Sequence, residues 1–202
     1  MDKKAKTTGG YAVNKRRSLQ QYRAVDLALW SVMLLVFESI IIMASVRWFP
    51  AQPYTVSLVP AVIAAVLVRW GPWAAVQAVL GGCIACMLQG ASAAQYAVYC
   101  IGNLFFFFLL PLLAKRRERE KPFRDFTGVL GFGLAVLLLI QTGRALVSLI
   151  LGGGMQTAVR CYTTEAVTDL LTMVILWIIS RLDGMLEDQP HYIRRIQAEE
   201  NR

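Results

Sequence analysis

The sequence has little charge and almost no histidine, and both deficits restrict what the chain can do. Charged residues occupy 17% of its 202 positions, whereas soluble globular chains carry about a quarter. Hydrophobic residues reach 56%. This balance argues against a soluble enzyme, a secreted disulfide-bonded module and a disordered tail protein. It predicts a polytopic membrane protein.

Side chains suited to catalysis are also scarce. The one histidine, His191, lies near the C-terminus, which argues against imidazole-based hydrolysis and against most histidine-built metal sites. The four cysteines do not form a disulfide framework, and the sequence leaves open whether Cys86 pairs with Cys161. Residues 152–156 are glycine-rich but lack the lysine of a P-loop. We therefore expect no enzymatic activity, no cofactor and no metal.

Apolar residues fall in blocks close to the length of a membrane span, since about 20 helical residues cross a hydrocarbon layer of about 30 Å. Such spans are expected to be helices, because the backbone must satisfy its own hydrogen bonds in lipid. The second block is short and contains Pro60, so it is expected to tilt, kink or lie partly within the protein. The six predicted spans are Val25–Val46, Tyr54–Val68, Gly71–Leu88, Ala93–Leu113, Gly128–Leu151 and Thr164–Leu182.

The predicted organisation is an all-α membrane domain over residues 25–182. A basic tail precedes it at residues 1–24, with no apolar stretch typical of a cleavable signal peptide, and a second tail follows at 183–202. Basic residues concentrate in both tails and between residues 115 and 124. The positive-inside rule then predicts that both termini are cytoplasmic in a multi-pass protein of a bacterial plasma membrane. These basic segments are expected to contact lipid headgroups and not nucleic acid.

Polar residues within the spans are unevenly distributed in depth. With this orientation they gather in the outer halves of spans four to six and beyond the midpoint of span one, whereas the inner halves are apolar, as in Phe105–Phe108 and Met173–Ile179. Intramembrane ionisable groups are costly and usually face a cavity or a partner. We expect an outward-facing pocket for a small molecule. The alternative is that ion pairs of Arg144 with Glu165 or Asp169 only hold spans five and six together. The predicted binding residues are Glu38, Gln95, Tyr99, Asn103, Gln141, Arg144, Arg160, Glu165 and Asp169.

Several local features resemble one family of membrane proteins. Span one begins with Ala24-x-x-x-Ala28, span two carries Ser57-Leu-Val-Pro60, and the turn Arg69-Trp-Gly-Pro72 leads into a third span rich in small residues. Together with the length and the predicted topology, these features resemble the substrate-binding S component of energy-coupling-factor (ECF) transporters. The resemblance extends over residues 20 to 182.

This resemblance implies a function and a set of partners. In the family, the Ala-x-x-x-Ala face docks onto a transmembrane coupling protein, T, which carries two ABC ATPases. The resemblance thus implies that Ala24 and Ala28 are partner-docking residues. It also implies that Arg47, Trp48 and Tyr54 belong to a lid over the pocket. The chain would capture a small water-soluble vitamin or related micronutrient for ATP-driven uptake. The alternative is a non-transporting six-helix scaffold or assembly protein of the cell envelope.

Overall fold

The computed structural model describes residues 4–49, 51, 54–117, 125–182 and 184–200, with side chains at 19–49, 51, 54–115, 125–182, 184–196 and 199. These residues form helices and connections without a strand, which confirms the all-α class. Short 3₁₀ segments, Gly71–Trp73 and Asn103–Leu109, follow α2 and α4. The helices are α1 (Lys4–Trp48), α2 (Val59–Trp70), α3 (Ala74–Leu88), α4 (Ala93–Gly102), α5 (Leu110–Arg117), α6 (Phe126–Ile150), α7 (Met155–Thr163), α8 (Ala166–Ser180) and α9 (Gln189–Glu200).

Five helical runs in the described chain are long and apolar enough to cross a membrane, which is compatible with a multi-pass membrane protein. The run Val59–Leu88 is a hairpin, because α3 folds back along α2. A Cβ added to Gly81 on α3 would lie 2.6 Å from Cγ2 of Val59, at the beginning of α2. Counting both arms of this hairpin gives six segments, as predicted. The five runs are Leu19–Trp48, Val59–Leu88, Ala93–Lys115, Phe126–Ile150 and Met155–Ser180.

Helix α2 is the centre of the bundle. All twelve of its residues are buried, and α1, α3, α6 and α8 pack around it. Twelve helical residues rise about 18 Å, which is less than the hydrocarbon thickness of about 30 Å. Of the three expectations for the short second span (a tilt, a kink or a position partly within the protein), the structure shows the third.

Other boundaries differ from the predicted spans. Helix α1 extends back to Lys4, through residues predicted as a polar tail. Helix α7 occupies a region predicted as an outer loop. It is amphipathic and buries Ala158, while most of its residues are exposed. A search for continuous apolar blocks does not detect such a helix, because its polar face lowers the mean hydropathy.

One end of the bundle is fastened by Arg69, at the end of α2. Its Nε and Nη2 atoms donate to the Asp26 carboxylate of α1, at 3.0 and 2.8 Å. Its Nη1 donates to the carbonyl oxygens of Gly184 and Met185, which follow α8. Trp70 Nε1 also donates to Asp26, at 2.6 Å. This group defines the Arg69 end of the bundle. The sequence analysis placed Arg69 only in a turn and did not predict the group.

Candidate functional site

Arg144 on α6 organises a buried polar cluster toward the opposite end of the bundle. Its Nη1 forms an ion pair with Glu165, the residue before α8. Its Nε donates to Oδ1 of Asn103 at 2.8 Å, and its guanidinium carbon lies 4.7 Å from the ring centroid of Tyr99 on α4. Four of the predicted binding residues are therefore in direct contact.

A hydrogen bond to the backbone of α3 fixes the orientation of the Asn103 side chain. Its Nδ2 donates to the carbonyl oxygen of Ala78 at 3.0 Å, so its Oδ1 faces Arg144. Asn103 is fully buried. A buried amide whose donor and acceptor both have partners is a rigid element of a polar network. The side chain thus holds the guanidinium in one position.

Glycines allow the backbones of α3, α4 and α6 to approach closely around Arg144. A Cβ at Gly143 would overlap the carbonyl oxygen of Gly102, and one at Gly102 would lie 2.7 Å from the backbone nitrogen of Arg144. A Cβ at Gly82 would lie 3.1 Å from the backbone nitrogen of Cys100, so α3 and α4 also approach closely. Small residues permit such contacts between membrane helices. Gly82 lies in the third span, which the sequence shows to be rich in small residues, whereas no sequence pattern pointed to Gly102 or Gly143.

Glu38 on α1 is buried on another side of the same site. Its Oε2 accepts the backbone N–H of Leu58 at 2.7 Å, just before α2 begins. A carboxylate is favourable there, because the first N–H groups of a helix have no partner within the helix and carry partial positive charge. The Ser57 side chain lies beside the same carboxylate. The other oxygen, Oε1, is buried and has no hydrogen-bond partner among the described residues.

The connection before α2 is bound to α8 and its leading turn. The Thr55 N–H donates to the carbonyl of Thr164 at 2.9 Å, and the Ser57 N–H donates to Oγ1 of Thr168 at 3.1 Å. The Thr168 hydroxyl donates in turn to the Thr55 carbonyl at 2.8 Å. Residues 54–58 therefore cover the Glu38 side of the cluster. The sequence analysis did not predict these contacts.

A cavity of about 30 Å³ lies within the cluster. It has room for one or two water molecules. Its lining combines small side chains of α3 with the polar cluster. The lining residues are Glu38, Ile42, Thr55, Val56, Ser57, Val59, Gly81, Gly82, Ala85, Gln89, Tyr99, Asn103, Arg144 and Glu165.

The remaining predicted binding residues lie elsewhere. Gln141 donates to both carboxylate oxygens of the half-buried Asp169, at 2.8 and 2.9 Å, and this pair does not line the cavity. Gln95 is exposed and accepts the N–H of Ser92 at 2.7 Å, which caps the start of α4. Arg160 is exposed on α7. The structure does not bring Gln95 or Arg160 to the cluster.

The predicted lid and docking residues are on the surface. Trp48 and Tyr54 are exposed and line an apolar groove of about 420 Å³ beside α1 and α8. Val56 lines both this groove and the buried cavity. Arg47 is exposed, as are the docking residues on α1 that the family resemblance implies, Ala24 and Ala28. Pro50, Gln52 and Pro53, in the connection between Trp48 and Tyr54, lie outside the described residues.

The cysteines are free thiols in the structure. The Sγ atoms of Cys83 and Cys100 are 3.6 Å apart, and neither Cys86 nor Cys161 forms a disulfide. In the part of the chain that the structure describes, no group of three histidine, cysteine or acidic residues is placed to hold a metal ion.

Comparisons of the chain with protein-family models, with curated proteins and with solved structures gave no match. The likeness to ECF S components thus depends on the sequence features given above.

Proposed function

We propose that this chain is the membrane-embedded substrate-binding subunit of an ECF-type ABC importer. It captures a small water-soluble vitamin or related micronutrient from outside the cell. The observation that carries the proposal is the convergence of Glu38, Tyr99, Asn103, Arg144 and Glu165 around one cavity. Charged side chains are costly within a membrane, and they are typically found at binding sites or in ion pairs.

The remaining parts of the proposal come from the family resemblance. The chain spans the plasma membrane six times with both termini in the cytoplasm. It has no catalytic activity of its own, so energy for uptake comes from two ABC ATPases through the T protein. Exposed Ala24 and Ala28 form the docking position on α1, which is compatible with their accessibility. Trp48 and Tyr54 belong to the lid over the pocket on the outer side.

Ligand entry in this proposal requires residues 54–58 to move. The cavity of about 30 Å³ is smaller than any vitamin. Val56 separates it from the larger apolar groove, so displacement of this connection would join the two spaces. The connection is bound to α8 mainly through hydrogen bonds of Thr164 and Thr168. Each such bond contributes about 0.5–1.5 kcal/mol net.

A second candidate function is a structural scaffold of the envelope. It is favoured by the contacts of Arg144, which are supplied by Glu165 and Asn103 from within the protein. In that function the cluster only fastens α6 to its neighbours.

Ligand release and thermal unfolding distinguish the two functions. Protein purified from its native membrane is denatured, and the released small molecules are identified by mass spectrometry. The importer predicts a stoichiometric nutrient that is lost in Arg144→Ala and retained in Arg195→Ala, a control at the exposed Arg195–Glu187 pair. The scaffold predicts no nutrient in any variant, no stabilisation by added vitamins and a lower melting temperature for Arg144→Ala alone. That second outcome would overturn the importer proposal.

A further inference from the structure

The Glu38 carboxylate forms no ion pair with another described residue. Its side chain is 1% exposed, and the Leu58 N–H donates to only one of its oxygens. Oε1 is buried without a partner among the described residues, and the side chain lines the cavity. Removing a carboxylate from water costs several kcal/mol unless an opposite charge or hydrogen bonds compensate it. This oxygen is therefore available to a donor inside the cavity.

The charges that line the cavity do not balance. They comprise the two carboxylates of Glu38 and Glu165 and one guanidinium, that of Arg144. Arg144 is already paired with Glu165, so Glu38 has no ion-pair partner of its own among the described residues. An anionic ligand would have to compete with Glu165 for Arg144 and would also face Glu38. A cationic group would meet a free acceptor and restore neutrality.

The space beside Glu38 suits a compact group. The cavity holds a volume close to one or two water molecules, which is similar to that of an ammonium group. On the α3 side it is bounded by Gly81, Gly82 and Ala85. The site thus accommodates the head of a ligand, and the rest of the ligand must extend toward the groove beyond Val56.

We propose that the ligand carries a cationic nitrogen, which occupies this cavity and donates a hydrogen bond to Oε1 of Glu38. This inference rests on the proposed function and specifies the chemical class of the nutrient. In this proposal, Glu38 recognises the positive charge of the ligand. Arg144 and Asn103 then fix the shape of the cavity, as positioning residues.

The test is binding of six vitamins to the purified full-length protein by isothermal titration calorimetry. Pyridoxamine supplies a protonated amine that can donate the hydrogen bond, whereas thiamine supplies a quaternary cationic nitrogen that cannot. Pyridoxine and riboflavin are neutral, and biotin and pantothenate are anionic. Pyridoxamine and pyridoxine form a matched pair that differs by an amine in place of a hydroxyl. The molecule that co-purifies with the wild-type protein is identified in parallel by mass spectrometry.

We expect a protonated nitrogen in the co-purifying molecule or in the tightest binder of the panel. It also expects Glu38→Gln to weaken that binding at least tenfold, about 1.4 kcal/mol, while Glu187→Gln at the other end of the chain leaves it unchanged. A neutral or anionic ligand bound with equal affinity by Glu38→Gln would overturn the inference and leave the importer function standing. If no molecule co-purifies and none of the six binds, the proposed function itself fails. If Glu38→Gln does not fold, the charge of the ligand bound by the wild-type protein tests the inference: a cationic ligand supports it, and a neutral or anionic ligand overturns it.

Discussion

At the scale of single residues, the cluster around Arg144 shows how a charge is accommodated in an apolar bundle. Arg144 is 3% exposed, and its guanidinium contacts a carboxylate, an amide oxygen and an aromatic ring. The desolvation cost of such a group is large, and it is offset only while every partner is present. Each member of the cluster therefore depends on the others.

This dependence predicts strong coupling between Arg144 and Glu165. Arg144→Met and Glu165→Gln should each lower the free energy of unfolding by about 3–5 kcal/mol, because each leaves a buried group without its partner. The free energy of unfolding of the double variant should fall by much less than the sum of the decreases in the two single variants. Unfolding by denaturant in detergent micelles, followed by tryptophan fluorescence, measures all three.

The exposed pair Arg195–Glu187 supplies the control for this cycle, since its atoms are 3.2 Å apart and Arg195 is 42% exposed. Arg195→Met and Glu187→Gln should change the free energy by less than about 1 kcal/mol, singly or together. Additive decreases in the free energy of unfolding for Arg144→Met and Glu165→Gln would show that the two side chains do not interact as described.

The sequence predicted part of this cluster, because depth in the membrane can be counted along each span. Tyr99, Asn103, Arg144 and Glu165 were located by that count, and the structure brings them into contact. Depth alone does not give the direction in which a side chain points. Gln95 has the depth expected of a binding residue, yet it caps the start of α4.

At the scale of helices, the close contact between α4 and α6 depends on two glycines. Gly102 and Gly143 face each other, and their backbones are closer than any larger residue permits. This contact sets the position of Arg144, the next residue on α6. Packing density in such a contact leaves little freedom to relax.

Two glycines of α6 provide a matched test of this contact. Gly143→Ala should destabilise the protein by about 1–3 kcal/mol, because its Cβ would overlap the Gly102 carbonyl oxygen and force the helices apart. Gly131→Ala, at a position with open space around it, should not destabilise it. Thermal unfolding in detergent compares the two variants, and equal stability would show that α4 and α6 are not in close contact.

Helix boundaries were less predictable than the number of long apolar segments. Hydropathy detects continuous apolar blocks, so it located the α2–α3 hairpin and α6. It did not detect α7, whose apolar residues lie on one face, nor the 3₁₀ segment Asn103–Leu109 that interrupts span four. Both features depend on tertiary packing against α6, which a single sequence does not encode locally.

At the scale of the whole molecule, the basic residues and the polar cluster define opposite ends. Arg195 on α9 lies near the Arg69 end, and Arg160 on α7 lies near the cluster. From the positive-inside rule we expect the first in the cytoplasm and the second outside.

Cysteine labelling tests this orientation in cells. In a variant whose four native cysteines are replaced by serine, Arg195→Cys should react with a membrane-impermeant maleimide only after permeabilisation. Arg160→Cys, which is exposed on α7, should react in intact cells. The reverse pattern would invert the topology and place the cluster near the cytoplasmic face, where it could not receive a nutrient from outside.

The complete burial of α2 has a consequence for biosynthesis. Two of the helices that cover it, α6 and α8, are translated later, and the 95 residues from Gly71 to Glu165 separate α2 from α8. At about 5–20 residues per second, a ribosome needs about 5–20 s to add them. Until α6 is complete, α2 has only α1 and α3 as neighbours and is too short to span the bilayer alone. The nascent chain must therefore hold this helix in an incomplete assembly until its last covering partner emerges.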